Sequence, residues 1–317
     1  MPAANNWDAL VAKNLGLTAT LGQILSSVGS CTPEISGPCL VVTSDYSGSH
    51  RDSAYEVYSL LVADLVRCNQ WRTMRKHIRT RLPDGRRMSY KALNDKHRRR
   101  VLKPFLAAAN TIPGICASLA VAKDIDTLFE HDNSPVNPEL AACLGWNRHL
   151  FERALRIIHF VSFFVCGLSL PNQDVLWFSD EDEIAANSER LTLLTKIWAN
   201  VISNYAVHSF RHLRCGTTKS DDGSHEIEDL AAIPDLAAGA LADLLTPVAG
   251  QLRMGVIIPG KLDSKAKANN IGQWLLENGS QLKKITLVID RKPNSTALTI
   301  SRVQFHDLSP LLSVVEP

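Results

Sequence analysis

Three acidic positions in this 317-residue chain have the residue type and the neighbours for metal-assisted phosphate chemistry: Asp45, Asp180 and Asp235. Asp45 closes the apolar run Cys39-Leu-Val-Val-Thr-Ser44 and is followed by Ser47-Gly48, the pattern of a buried strand and its exit turn. Asp180 follows Val175-Leu-Trp-Phe178 and starts an acidic cluster with Asp182 and Glu183, and Asp235 sits after Pro234 near the start of a late helix. Ligands of open α/β sheets gather beyond the carboxyl ends of strands. Carboxylates collected there repel one another unless a cation neutralises them, and Mg²⁺ is ordinarily held by one or two carboxylates together with water and phosphate oxygens. Such ions activate a water and stabilise the leaving oxygen of a phosphodiester. Each acid also has a structural reading. Asp45 would form an Asx turn, Asp180 with Glu183 a capping box, and Asp235 the favourable first turn of its helix.

Beside the acids lies an unusually basic stretch. The net charge of +2 conceals 14 Lys and Arg against two acids between Arg67 and Lys103, a local +12 that leaves −10 for the rest. Arg72, Arg75, Lys76, Arg79, Arg86, Arg87, Lys96, Arg98, Arg99 and Arg100 are the candidate contacts to nucleic-acid phosphates, a contribution that is independent of base sequence and falls steeply with salt. Trp71, Tyr90 and His97 offer stacking surfaces. The alternative is a solvated helical surface, or one that meets an acidic protein partner or a second subunit.

These residues need a scaffold, and its elements are legible. Residues 6–29 have a loose helical period weakened by Gly16 and Gly22. Strands are expected at Cys39–Asp45, Ala54–Val66, Ile115–Val121 and Val175–Phe178, with an edge strand at His212–Thr218. The basic stretch gives two helical pieces around Leu82-Pro-Asp-Gly85. Helices follow at Pro138–Leu168 and after Asp180-Glu-Asp-Glu183, where Leu194, Ile197, Trp198, Val201, Ile202 and Tyr205 form one apolar face. Lys284–Asp290 and Ala297–Phe305 around Pro293-Asn294 predict a β-hairpin outside the main core.

At 45% apolar residues the chain can bury one large core. The start shows no basic-then-apolar leader, and the longest apolar run, Ile157–Leu170, is shorter than the roughly 20 residues that cross a bilayer. A cytoplasmic protein without membrane contact is expected. Seven scattered cysteines without Cys-x-x-Cys pairs read as free thiols, and Cys31, Cys39 and His50 lack a fourth zinc ligand. Serine-hydrolase, P-loop, zinc-protease and dinucleotide fingerprints are absent.

The order of short motifs resembles an uncharacterised ribonuclease H-like family over about residues 39–250: Asp45-Tyr-Ser-Gly48, Ser89-Tyr-Lys91, Trp177-Phe-Ser-Asp180 and Asp235-Leu-Ala-Ala-Gly239. The resemblance implies an α/β fold with a central mixed sheet flanked by helices. It also implies an acidic Mg²⁺ or Mn²⁺ site made from the first strand, the fourth strand and the last helix. Asp45, Asp180 and Asp235 would then be ligands, Asp182 a substitute acid, and Lys91 a catalytic residue facing phosphate. The family commonly has Glu after the first Asp and an acid ahead of the Lys, where this chain has Tyr46 and Ser89-Tyr90. Glu228 or Asp229 replaces the missing carboxylate, or the protein binds without cutting. The expected layout is an N-terminal helical appendage at 1–38, a ribonuclease H-like domain at 39–250 with its basic helical segment at 67–103, and a C-terminal extension at 251–317. The expected activity is metal-dependent phosphodiester hydrolysis on DNA or RNA; the alternative is a catalytically inactive nucleic-acid-binding or assembly protein.

Overall fold

The computed structural model describes residues 5–14, 16–28, 32–82, 85–129, 146–180, 184–249, 256–257, 265–277, 279–292 and 294–305. Nine strands are present among them: β1 (Cys39–Ser47), β2 (Tyr55–Asp64), β3 (Gly114–Ala122), β4 (Asp174–Ser179), β5 (His212–Thr217), β6 (Val256–Ile257), β7 (Leu282–Arg291), β8 (Leu298–Arg302) and β9 (Gln304–Phe305). Eight α-helices accompany them: α1 (Trp7–Lys13), α2 (Gly16–Ser27), α3 (Asn69–Arg79), α4 (Lys96–Ala109), α5 (Arg148–Leu168), α6 (Ser188–Tyr205), α7 (Glu226–Leu245) and α8 (Ala266–Leu276).

Seven strands form one mixed sheet in the order β5-β4-β1-β2-β3-β7-β8. β1 is antiparallel to β2 and parallel to β4, β4 is parallel to β5, and β3 is antiparallel to β2. The central strands are largely apolar because helices cover both faces. β2 is buried at every residue. Leu40, Val42, Tyr58, Leu60 and Trp177 pack with α1, α2, α5 and α6, whereas Val41, Val57, Leu61 and Ala63 pack with α3, α4, α7 and α8. This two-faced burial is the period-2 alternation of strand side chains.

Several expectations are corrected by this packing. The N-terminal helical region is two helices, and Trp7 of α1 is sealed against Phe163 and Phe164 of α5. β1 continues past Asp45 to Ser47, so Asp45 is a strand residue paired with Ser59 rather than a turn former. The predicted hairpin forms as β7 and β8, but it extends the main sheet: β7 lies parallel to β3 from Gly114↔Leu282 to Val121↔Ile289. α7 begins at Glu226, which puts Pro234 and Asp235 in its interior and not in its first turn. The stretch Glu226–Val248 is long and apolar enough to cross a bilayer by length and composition, yet 72% of that window is buried over β1, β2 and β3.

Candidate functional site

β1 and α7 run side by side. Thr43 Oγ1 donates to the Leu230 carbonyl of α7 at 3.1 Å. Two residues on, the strand has advanced about 6.8 Å, and five residues on, the helix has advanced about 7.5 Å. Asp45 comes close enough to Asp235 at that level for the Asp235 charge to act on its carboxyl. Asp180 follows β4 directly, one residue beyond the Ser44↔Ser179 pair that joins β4 to β1, so it stands level with Asp45. All three predicted acids are brought to one end and one face of the sheet.

Their electrostatics follow from that crowding. Burial pushes the Asp45 carboxyl well above the usual carboxylate range, and the Asp235 charge pushes it further; the Tyr46 N–H, which donates to Asp45 Oδ1 at 2.6 Å, pulls the other way. Burial likewise raises Asp235, opposed by the Tyr90 N–H that donates to its Oδ2 at 2.9 Å and by the charges of Arg87 and Lys91. Asp180 accepts from Thr218 Oγ1 at 3.0 Å and from Arg87 Nη1 at 3.3 Å, and Arg87 Nη2 holds its other oxygen. The bidentate geometry is that of a strong charge-assisted pair. Burial of Arg87 is outweighed by Asp180, Asp235 and Asp45, which keep its guanidinium charged. One arginine thus faces three carboxylates.

The short sequence motifs meet physically here. Tyr90 is held by its hydroxyl on Asp243 Oδ2 at 2.6 Å and by Lys267, whose Nζ lies 4.2 Å from the ring centre and donates to the Tyr90 carbonyl. A Cβ at position 239 would sit 2.3 Å from that ring. Gly239 therefore lets Tyr90 lie flat on α7, with its N–H on Asp235 one turn away. Ser89-Tyr-Lys91 and Asp235-Leu-Ala-Ala-Gly239 form one device that orients a carboxylate.

Tyr46 lies on the opposite face of the sheet from Asp45. Its ring approaches Tyr58 at 5.9 Å and its hydroxyl bonds Ser44 Oγ at 2.7 Å, among the residues packed against α5. A carboxylate at position 46 would point away from Asp235, so it would add nothing to the face that carries Asp45.

The other candidates divide. Asp182 lies outside the described residues. Glu228 bonds Arg79 at 3.2 Å and His225 Nδ1 at 2.9 Å, and Asp229 is sealed between Arg75 at 2.9 Å and Arg79 at 2.8 Å. Arg72 pairs with Glu226 at 2.7 Å, and Arg98 is 5% exposed with Nε on the Arg87 carbonyl. Arg72, Arg75, Arg79, Arg87 and Arg98 therefore bind this protein's own groups. Lys76, Arg86, Lys91, Lys96, Arg99 and Arg100 are exposed. Trp71 at 0% exposure and Tyr90 at 7% are core residues, not stacking platforms. Asp180 is not a helix cap either: α6 starts at Ser188, and Asn187 accepts the Arg190 N–H.

An open cleft of about 520 Å³ lies at Asp180, lined by Arg87, Ser89, Thr218, His225 and Glu228. His225 was missed from the sequence. It holds a left-handed φ of 59° at the end of the loop into α7, with Nδ1 fixed by Glu228. The Ser-His-Glu run ahead of that helix was the only signal.

Among the described residues, no three His, Cys, Asp or Glu side chains converge closely enough to hold an ion unaided. Asp45 and Asp235 are oxygen donors of the kind a hard divalent cation takes together with water and phosphate oxygens; burial raises both carboxyls, the Asp235 charge raises Asp45 further and the Asp180 charge raises Asp235, with Arg87 as the cation opposing both shifts. Neither the protein-family models nor the curated proteins compared with the chain give a match.

Proposed function

We propose that the protein is a divalent-metal-dependent phosphodiesterase acting on nucleic acid, built on a ribonuclease H-like sheet. The observation that carries the reading is the pairing of Asp45 with Asp235 beneath the carboxyl end of β1, with Asp180 delivered alongside by the adjacent parallel strand β4. The first strand, the fourth strand and the late helix supply the acids, as the resemblance implies.

Bound Mg²⁺ or Mn²⁺ would supply an activated water and neutralise charge on the leaving oxygen. Asp45 and Asp235 would hold the cation, and the Tyr90 N–H restrains the Asp235 carboxylate through its Oδ2. Lys91, exposed beside Asp235, attracts the phosphate to the acids, while Arg87 stays on Asp180. His225, with Nδ1 on the Glu228 carboxylate, has its second ring nitrogen left to accept or donate a proton in the cleft.

The test is direct. Purified protein is incubated with end-labelled DNA and RNA in Mg²⁺ or Mn²⁺. Cleavage is expected, falling at least a hundredfold in Asp45→Asn and Asp235→Asn; substrates left intact by the wild-type protein overturn the reading. A second reading, nucleic-acid binding without cleavage, is favoured by the bidentate Arg87–Asp180 pair, which occupies the third carboxylate. Under it, Asp45→Asn leaves affinity unchanged or raised.

A further inference from the structure

Lys96, Arg99, Arg100 and Lys103 follow one another along α4 at intervals of three, one and three residues, so they share one helix face. All four are exposed, while Arg98, Val101, Leu102 and Phe105 form the buried face. Among the described residues none of the four side chains has an ion-pair, hydrogen-bond or ring partner, in contrast to Arg98, whose Nη1 reaches Asp95 at 3.3 Å.

This arrangement works against the helix that carries it. Lys96 with Arg100 and Arg99 with Lys103 are like-charge pairs at i,i+4, which repel. Lys96 and Arg99 also place positive charge at the helix N-terminus, where the backbone dipole is already positive. Asp95 satisfies the first N–H groups by accepting from His97 N and Arg98 N, but one carboxylate does not balance the stripe. A surface selected for stability alone would intersperse acids. From Lys96 to Lys103 the stripe rises seven residue steps, about 10.5 Å, which matches about three base-pair steps of 3.4 Å along the axis of a duplex. It is also tied to the acidic cleft: Arg98 of the same helix lines the cleft and donates Nε to the Arg87 carbonyl at 3.2 Å.

We propose that this α4 stripe is the docking surface for the sugar–phosphate backbone of nucleic acid, running from the cleft rim along the helix. Arg72, Arg75 and Arg79 are internal ties that take no part in it. The inference rests on nucleic acid being the substrate, but not on its being cut.

The test measures binding of fluorescent single- and double-stranded DNA and RNA in EDTA, where cleavage plays no part, over about 50 to 200 mM salt. Compared are the wild type, the quadruple Lys96→Gln, Arg99→Gln, Arg100→Gln, Lys103→Gln variant, the double Arg99→Gln, Arg100→Gln variant, and Lys283→Gln at the amino ends of the strands. The quadruple variant is expected to bind more than tenfold more weakly at low salt. Its log–log salt slope should be shallower by about 3 to 4 for duplex, at about 0.9 per neutralised phosphate. The double variant should lose about half of that slope, and Lys283→Gln should bind as the wild type does. A melting midpoint equal to or above the wild type's shows that the stripe variants are folded, and the double variant carries the test if the quadruple one is not. Affinity and slope within twofold of the wild type overturn the proposal, as does stripe-dependent binding to phosphatidylserine vesicles with nucleic-acid binding unaffected. Docking without cleavage in Mg²⁺ leaves this inference standing and overturns the nuclease reading; cleavage with stripe-independent binding does the reverse.

Discussion

Arg87 and Asp180 form a two-point pair, one guanidinium nitrogen to each carboxylate oxygen, although 93 residues separate them in the chain. The arginine comes from the irregular segment between α3 and α4, and its charge also reaches Asp45 and Asp235. It is the built-in counter-ion of the acidic centre, and a divalent cation entering there competes with it.

Replacing it tests that competition. Arg87→Met is expected to bind Mn²⁺ about tenfold more tightly than the wild type, read by Mn²⁺ paramagnetic resonance. Equal affinity for the two proteins would show that Arg87 and the cation do not share the carboxylates.

Asp45 gives the pH dependence. Its folded pKa lies above the unfolded value, so its contribution to stability is fully present below about pH 3.8 and is lost as pH rises through the folded pKa. Asp45→Asn removes that loss. At neutral pH without metal the variant should melt higher by a few degrees, at about 2 to 4 °C per kcal/mol, and the difference should vanish near pH 3.8. A variant less stable than the wild type at pH 7 would contradict the burial of a charged carboxylate.

Gly239→Ala forces a methyl group to 2.3 Å from the Tyr90 ring. Overpacking of this kind costs about 1 to 3 kcal/mol, and displacing Tyr90 takes its N–H from Asp235. Denaturant unfolding reads the first effect and Mn²⁺ affinity the second. Tyr90→Phe, which keeps the ring and loses only the Asp243 bond, should retain Mn²⁺ binding.

Asp229 separates structural arginines from binding ones. Asp229→Ala leaves Arg75 and Arg79 without their shared buried carboxylate, a change expected to destabilise the fold by about 3 to 5 kcal/mol. Per folded molecule, nucleic-acid affinity should stay within twofold of the wild type.

His225→Gln should lower the rate of hydrolysis by about 10²-fold or more, the range for loss of a positioned proton-transfer group, with unchanged nucleic-acid affinity. A rate equal to the wild type's removes His225 from the chemistry.

The apolar runs and turn residues made the strands legible, and with them the three acids, because burial in a two-faced sheet demands long stretches of Val, Leu and aromatic residues. The role of the basic stretch was legible only as a total charge. Arg75 and Arg79 meet Asp229 across about 150 residues of chain, and no local spacing reports such a partner. The C-terminal hairpin was recognisable by alternation, yet its pairing with β3 depends on where the crossover through α8 delivers it. Tyr46 looked like a lost carboxylate because adjacency in sequence hides opposition across a sheet.

That opposition has a consequence for how this region tolerates change. Asp45 and Tyr46 are neighbours assigned to different layers, and their assignment depends on the pairing of Asp45 with Ser59. Inserting or deleting one residue before Asp45 would exchange the layers, sending a carboxylate among the aromatic rings of α5 and a phenol toward Asp235. Substitutions along β1 can be absorbed one at a time, but its length ahead of Asp45 cannot change by an odd number of residues.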